Sequence, residues 1–226
     1  MSKKFAVVLS GCGVYDGSEI HEATMTLLAI IKNGGKYDIF APNIEQYHVI
    51  NHITGEVMNE KRNVLIESAR IARGKIYDLK NFNAKNYDSI IFPGGFGAAK
   101  NLSSFAFDGD KLIVNEEVTR VINESYKNKL AIGALCIAPV IIAKVIKNAK
   151  ITIGNDPGIA EAIKNIGGEN KITNNSRDIV IDKENKIITT PCYMLNDANI
   201  EDLEKGANNL VKAILEKIIF VFNKFS

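Results

Sequence analysis

Cysteine is scarce in this chain. Only Cys12, Cys136 and Cys192 occur, an odd set with no C-x-x-C or other metal-ligand spacing. That excludes a disulfide framework and a thiolate zinc site, and it suits a reducing cytoplasm. Histidine is equally sparse. His48 and His52 stand four apart, as two ligands on one helix face would, but His21 is the one remaining imidazole. No metal is expected from so few donors; a polar face or the rim of a site is the better place for His48 and His52. An excess of one charge is also missing. The formal net charge is +2 and the lysines are dispersed, so no nucleic-acid partner is expected.

Long apolar runs are absent as well. The longest, residues 130–143, contains Pro139 and is too short to cross a bilayer, so no membrane partner is expected. The first residues run straight into an apolar strand without a signal-peptide layout, and the expected location is cytoplasmic. An apolar stretch at residues 218–222 continues an amphipathic helix and reads as a docking or dimer-contact segment. Nucleotide motifs fail too. Gly11-Cys-Gly-Val-Tyr-Asp-Gly17 is one residue longer than the dinucleotide fingerprint, and Asp16 would set negative charge against a pyrophosphate. No P-loop exists, and no cofactor is expected.

What is present is an ordinary globular composition, 46% hydrophobic and 24% charged, at 226 residues, a length that fits one domain. Apolar runs of strand length at residues 5–9, 37–41, 87–92, 130–135 and 151–153 alternate with helical patterns. Helices are expected over residues 18–31 with Ser18 as cap, 59–72, 98–104, 114–128, 160–166 and 200–222, and the stretch 43–55 as an inserted loop or short helix. Residues 179–189 read as a hairpin. The alternation predicts an α/β fold: a mostly parallel sheet, helices on both faces, and antiparallel strands added late at one edge.

In such a sheet the loops at the carboxyl ends of the strands form the ligand crevice. Three meet there: residues 11–17, residues 93–97, and the turn at Cys136. Cys136 lies where a strand turns into a helix whose first turn holds Pro139. Free amides at that junction favour a thiolate, the reactive form of cysteine, although free cysteine is as often a small buried hydrophobe. Amides of Ile137 and Gly95 could face a developing oxyanion. Glu22, one turn into the first helix, lies at the same edge. In a crowded pocket its pKa should rise, making it a proton donor and acceptor.

Gly17-Ser-Glu-Ile-His-Glu22-Ala, Phe92-Pro-Gly-Gly-Phe-Gly-Ala-Ala-Lys-Asn-Leu-Ser103 and Ala131-Ile-Gly-Ala-Leu-Cys136-Ile-Ala-Pro139 coincide in order and spacing. With them the chain resembles the PfpI-type branch of the class I glutamine amidotransferase-like superfamily. Within that branch it is similar to the enhancing-lycopene-biosynthesis family, isoprenoid biosynthesis proteins with an amidotransferase-like domain. Residues 10–22, 49–56 and 189–191 carry that finer likeness, which covers nearly the whole chain and implies one such domain over residues 1–226.

The resemblance implies a flavodoxin-like three-layer sandwich, often a homodimer, with Cys136 on a nucleophile elbow and Glu22 hydrogen-bonded to it. It matches Gly95 and Ile137 to the oxyanion-hole amides. It also implies cofactor-free glyoxalase chemistry on a small aldehyde, glyoxal or methylglyoxal. Cys12, His21, Gly94 and Asn155 are possible pocket neighbours. Glutaminases of the superfamily use a histidine downstream of the cysteine, and none follows His52 here. A redox-sensing or regulatory protein without turnover is the alternative. An ammonia-generating subunit completed by a partner's histidine is a third reading.

Overall fold

The computed structural model describes residues 2–222, with side chains to Glu216. Strands β1 (Lys4–Val8) and β2 (Lys36–Ala41) flank helix α1 (Ile20–Lys32). Helix α2 (Val64–Ile71), strand β3 (Tyr77–Asp78) and strand β4 (Ser89–Phe92) follow. Next come α3 (Phe96–Lys100), α4 (Phe105–Asp108), α5 (Glu116–Lys127), β5 (Ala131–Leu135) and α6 (Pro139–Val145). The chain continues through β6 (Lys150–Ile151), α7 (Pro157–Asn165), β7 (Glu169–Asn170), β8 (Val180–Asp182), β9 (Ile187–Thr190) and α8 (Ile200–Phe222).

Seven strands form one sheet in the order β3-β2-β1-β4-β5-β9-β8. Every pairing is parallel except β8 with β9, so the late hairpin contributes one antiparallel strand at the edge rather than two. Alternation along each strand divides the core. Phe5, Val7, Ile91 and Leu135 pack beneath α1, α2 and α8, whereas Ala6, Val8, Ile90 and Ile132 pack beneath α5 and α6. Strands covered on both faces read as continuous apolar runs for this reason. The architecture is a flavodoxin-like three-layer α/β sandwich. Among the described residues no helix is long and apolar enough to cross a membrane.

Several boundaries differ from the expected ones. Ser18 is not the cap of α1: its Oγ accepts the Ser10 amide at 2.8 Å, and Glu19 caps instead, accepting the Glu22 amide at 2.6 Å. Residues 59–63 are not helical. They belong to an insert pinned by bridges Glu45↔Asn63 and Ile50↔Val57, and Asn63 caps α2. The helix expected over 98–104 begins earlier, at Phe96, and a second short helix follows. Residues 150–151 pair with β7 in a separate two-stranded sheet. The side chains of residues 218–222, expected to form a docking segment, lie outside the described residues.

Candidate functional site

Register brings the site together. Phe92 pairs with Ala134 and Leu135 with Thr190, so β4, β5 and β9 end side by side. The residues that follow, 93–97, Cys136 and 191–194, all emerge at one sheet edge. Cys136 has φ +59, a left-handed conformation that a side chain pays for in strain and that clusters at functional turns. Its amide donates to Thr190 O at 2.9 Å, and Pro139 sits in the first turn of α6.

Two glycines set the close approach. A Cβ on Gly94 would lie 2.4 Å from Cys136 Cβ and 2.6 Å from Glu22 Oε2. Gly95 has φ +98, and a Cβ there would strike the Glu19 amide nitrogen at 2.3 Å. The loop after β1 is stitched to this segment by Glu19 N–H to Gly94 O at 2.9 Å, Phe96 N–H to Val14 O at 2.7 Å and Gly97 N–H to Gly17 O at 2.8 Å.

Glu22 is fully buried. The Gly94 amide donates to its Oε2 at 3.1 Å, the Tyr193 amide donates to its Oε1 at 3.3 Å, and the nearby Cys136 thiol also favours the charged carboxylate. Burial, with the Glu19 carboxylate nearby, outweighs these bonds and raises its pKa to about 8. The amides of Gly95 and Ile137 face Cys136 Sγ and favour its ionised form. They do not prevail. Burial, then the Glu22 carboxylate, push the thiol well above its ordinary range. Burial thus opposes the thiolate that the strand-to-helix turn suggests.

Beside the sulfur opens a pocket of about 230 Å³. Its lining includes Cys136, Gly95, Glu19 and Tyr193, and is otherwise apolar: Val14, Phe96, Ala99, Phe105, Ala106, Ile137, Ile159 and Met194. Asn155 is a correction: it is exposed, bonded to Asn174 at 3.1 Å, and does not line the pocket. Cys12 is another. Its surroundings are Glu67, Arg70, Asp16 and Arg62, on the side of α2, and burial raises its pKa. The cysteine that acts electrostatically on Cys136 is Cys192, which is fully buried. His21 stands outside the pocket, with Nδ1 3.1 Å from the Tyr193 hydroxyl and 3.8 Å from Glu19 Oε1. His52 accepts the Tyr15 amide at 3.2 Å, and His48 packs against the rings of Tyr47 and Phe107. None of the three lines the pocket. Among the described residues no group of three His, Cys, Asp or Glu could hold a metal ion.

Tyr193, Glu19 and Cys192 escaped the sequence reading. The signal was available for two of them, because residues following Pro191 leave β9 at the crevice edge.

No family model matches the chain. It is 47% identical to the rat protein named ES1 protein homolog, mitochondrial, over 94% of this chain and 83% of that protein. It is 46% identical to the human protein named glutamine amidotransferase-like class 1 domain-containing protein 3, mitochondrial, over 94% of this chain and 82% of that one. These names overturn the expected cytoplasmic location, since both relatives are mitochondrial. The crystal structure of an isoprenoid biosynthesis protein with amidotransferase-like domain from Ehrlichia chaffeensis superposes with TM-score 0.87 at 35% identity, covering 94% of this chain and 99% of that one. Drosophila melanogaster DJ-1beta shares the fold at TM-score 0.56 and 16% identity, covering 100% of this chain and 98% of its own. This chain belongs to the family of ES1 proteins and isoprenoid biosynthesis proteins with an amidotransferase-like domain.

Proposed function

We propose that the chain is a cofactor-independent glyoxalase-like enzyme that converts glyoxal or methylglyoxal to the 2-hydroxy acid. One observation carries this reading. The Cys136 thiol, which lines a pocket, lies beside a buried carboxyl whose pKa of about 8 suits taking and returning a proton near neutrality.

Glu22 takes the thiol proton as Sγ bonds to the aldehyde carbon, and the carbonyl electrons move onto oxygen. The amides of Gly95 and Ile137 stabilise that oxyanion, which takes the proton from Glu22 to give the hemithioacetal and leaves Glu22 free to act as base again. Glu22 next removes the carbon-bound proton, and a proton is returned to the adjacent carbonyl carbon through an enediol. The aldehyde carbon is oxidised and its neighbour reduced, leaving a 2-hydroxy thioester. Water cleaves the C–S bond, releases the acid and restores the thiol. The sum is the addition of one water, with no outside oxidant.

Glutathione-free buffer, glyoxal and assay of glycolate test this reading. Wild type is expected to form glycolate and Cys136→Ala to form none. Wild-type protein that leaves glyoxal untouched at high enzyme concentration would remove it.

A second reading, a redox-sensing protein, is favoured by the proximity of Cys192 to Cys136 and Glu22. A peroxide that oxidises Cys136 without any aldehyde turnover would support it.

A further inference from the structure

The chemistry proposed above uses only one end of the pocket. The polar lining is limited to Cys136, the Gly95 backbone, Glu19 and Tyr193. The remaining wall, from Phe96 and Phe105 across Ile159 to Met194, offers nothing for a second aldehyde oxygen to bond. At roughly 30 Å³ per water-sized group, glyoxal with four heavy atoms fills about half of the space. The rest would hold water against apolar side chains, an arrangement that favours displacement by an apolar substituent.

Charge narrows the class further. No Lys, Arg or His lines the pocket, and the Glu19 carboxylate does. Lys100 rests over the Phe96 ring at 5.2 Å and donates to Tyr15 O at 2.9 Å. An anionic substrate would meet Glu19 with no basic residue in the pocket lining.

We propose that the Phe96–Phe105–Ile159–Met194 wall is a tail subsite that selects neutral 2-oxoaldehydes bearing a small branched apolar substituent over glyoxal and over anionic aldehydes. The inference rests on Cys136 as nucleophile. The tail takes no part in bond making, so the reaction balances as it does for glyoxal. Isopropylglyoxal, with seven heavy atoms, matches the volume at the same roughly 30 Å³ per group.

The test compares kcat/KM for isopropylglyoxal, glyoxal and glyoxylate in wild type and in Ala106→Phe. Ala106 lines the pocket yet is exposed, so a larger side chain there fills the subsite without crowding the core. Isopropylglyoxal is expected to exceed glyoxal by about tenfold or more, as buried methyl-sized groups do in apolar pockets. Glyoxylate should be the poorest, and Ala106→Phe should bring the isopropylglyoxal-to-glyoxal ratio to about one. Equal kcat/KM for all three, or a ratio that Ala106→Phe leaves intact, would overturn the subsite while the catalytic reading stands.

A second readout separates the two failures. The unreactive isopropyl methyl ketone is titrated against protein with labelled methionine methyls. A saturable shift of the Met194 methyl, lost in Ala106→Phe and weakened in Ile159→Ser, supports the subsite even if no aldehyde is turned over. Absence of a saturable shift overturns it.

Discussion

Cys136 Cβ and Glu22 Oε2 lie 2.4 Å and 2.6 Å from where a Cβ on Gly94 would stand, and both groups are shut away from solvent apart from the pocket face of the sulfur. One consequence is thermodynamic. The folded pKa of Glu22, about 8, lies above its ordinary 4.5. Between those values the folded chain holds a proton that the unfolded chain has released. Stability from this group is complete below pH 4.5 and is lost as pH rises through about 8. Glu22→Gln removes that slope. Chemical denaturation at pH 5 and pH 8 is expected to show wild type losing several kcal/mol, on the order of 3–5, relative to Glu22→Gln. Parallel behaviour of the two proteins would contradict a raised carboxyl.

Gly94 has no room for a side chain. A methyl there would overlap Cys136 Cβ and Glu22 Oε2, so Gly94→Ala must separate the two. Glyoxal turnover is expected to fall by about 100-fold or more, the scale of a misplaced reacting group. Melting should show a loss of about 1–3 kcal/mol, as overpacking costs. Full activity in Gly94→Ala would mean that the contact is irrelevant to chemistry.

Oxidation should discriminate between the cysteines. Cys136 faces the pocket, whereas Cys192 is fully buried. Limited peroxide followed by peptide mass analysis is expected to find oxygen on Cys136 before Cys192. Earlier modification at Cys192 would show that the pocket does not govern access to the sulfur.

The sheet was legible because its strands are buried on both faces and so leave unbroken apolar runs, as in residues 5–9 and 130–135. Cys136, Gly95 and Ile137 were legible because a strand-to-helix turn and a glycine loop are local events that leave local signatures. Glu22 followed from its place at the same edge. What escaped was set by contacts distant in sequence. Tyr193 reaches Glu22 across the fold through its backbone amide, a group that no side-chain pattern announces. Cys12 misses the pocket because the loop after β1 turns it towards Arg70 and Glu67, while the turn after β9 brings Cys192, to which the sequence assigned no role, near Glu22. The start of α2 was misplaced because Asn63, which supplies the cap, followed residues that pair as an extended insert.

His21 and Tyr193 form a pair at the pocket mouth, 3.1 Å apart through Nδ1 and the hydroxyl. The hold on Glu22 comes from the Tyr193 amide, not its phenol. Tyr193→Phe is therefore expected to keep Glu22 in place and to change kcat/KM for glyoxal by less than about tenfold, as loss of one neutral hydrogen bond does. A drop as large as that of Glu22→Gln would make the phenol itself part of the proton path.

The most direct test is the pH dependence of kcat/KM for glyoxal, from pH 6 to 9.5, in wild type and Glu22→Gln. With Glu22 as the base that accepts the Cys136 proton, the wild-type rate should climb through an apparent pKa of about 8 and level off above it, and Glu22→Gln should lose that limb. A wild-type profile flat across this range, or a limb at the same position in Glu22→Gln, would contradict the pairing of Cys136 with Glu22 on which the catalysis is built.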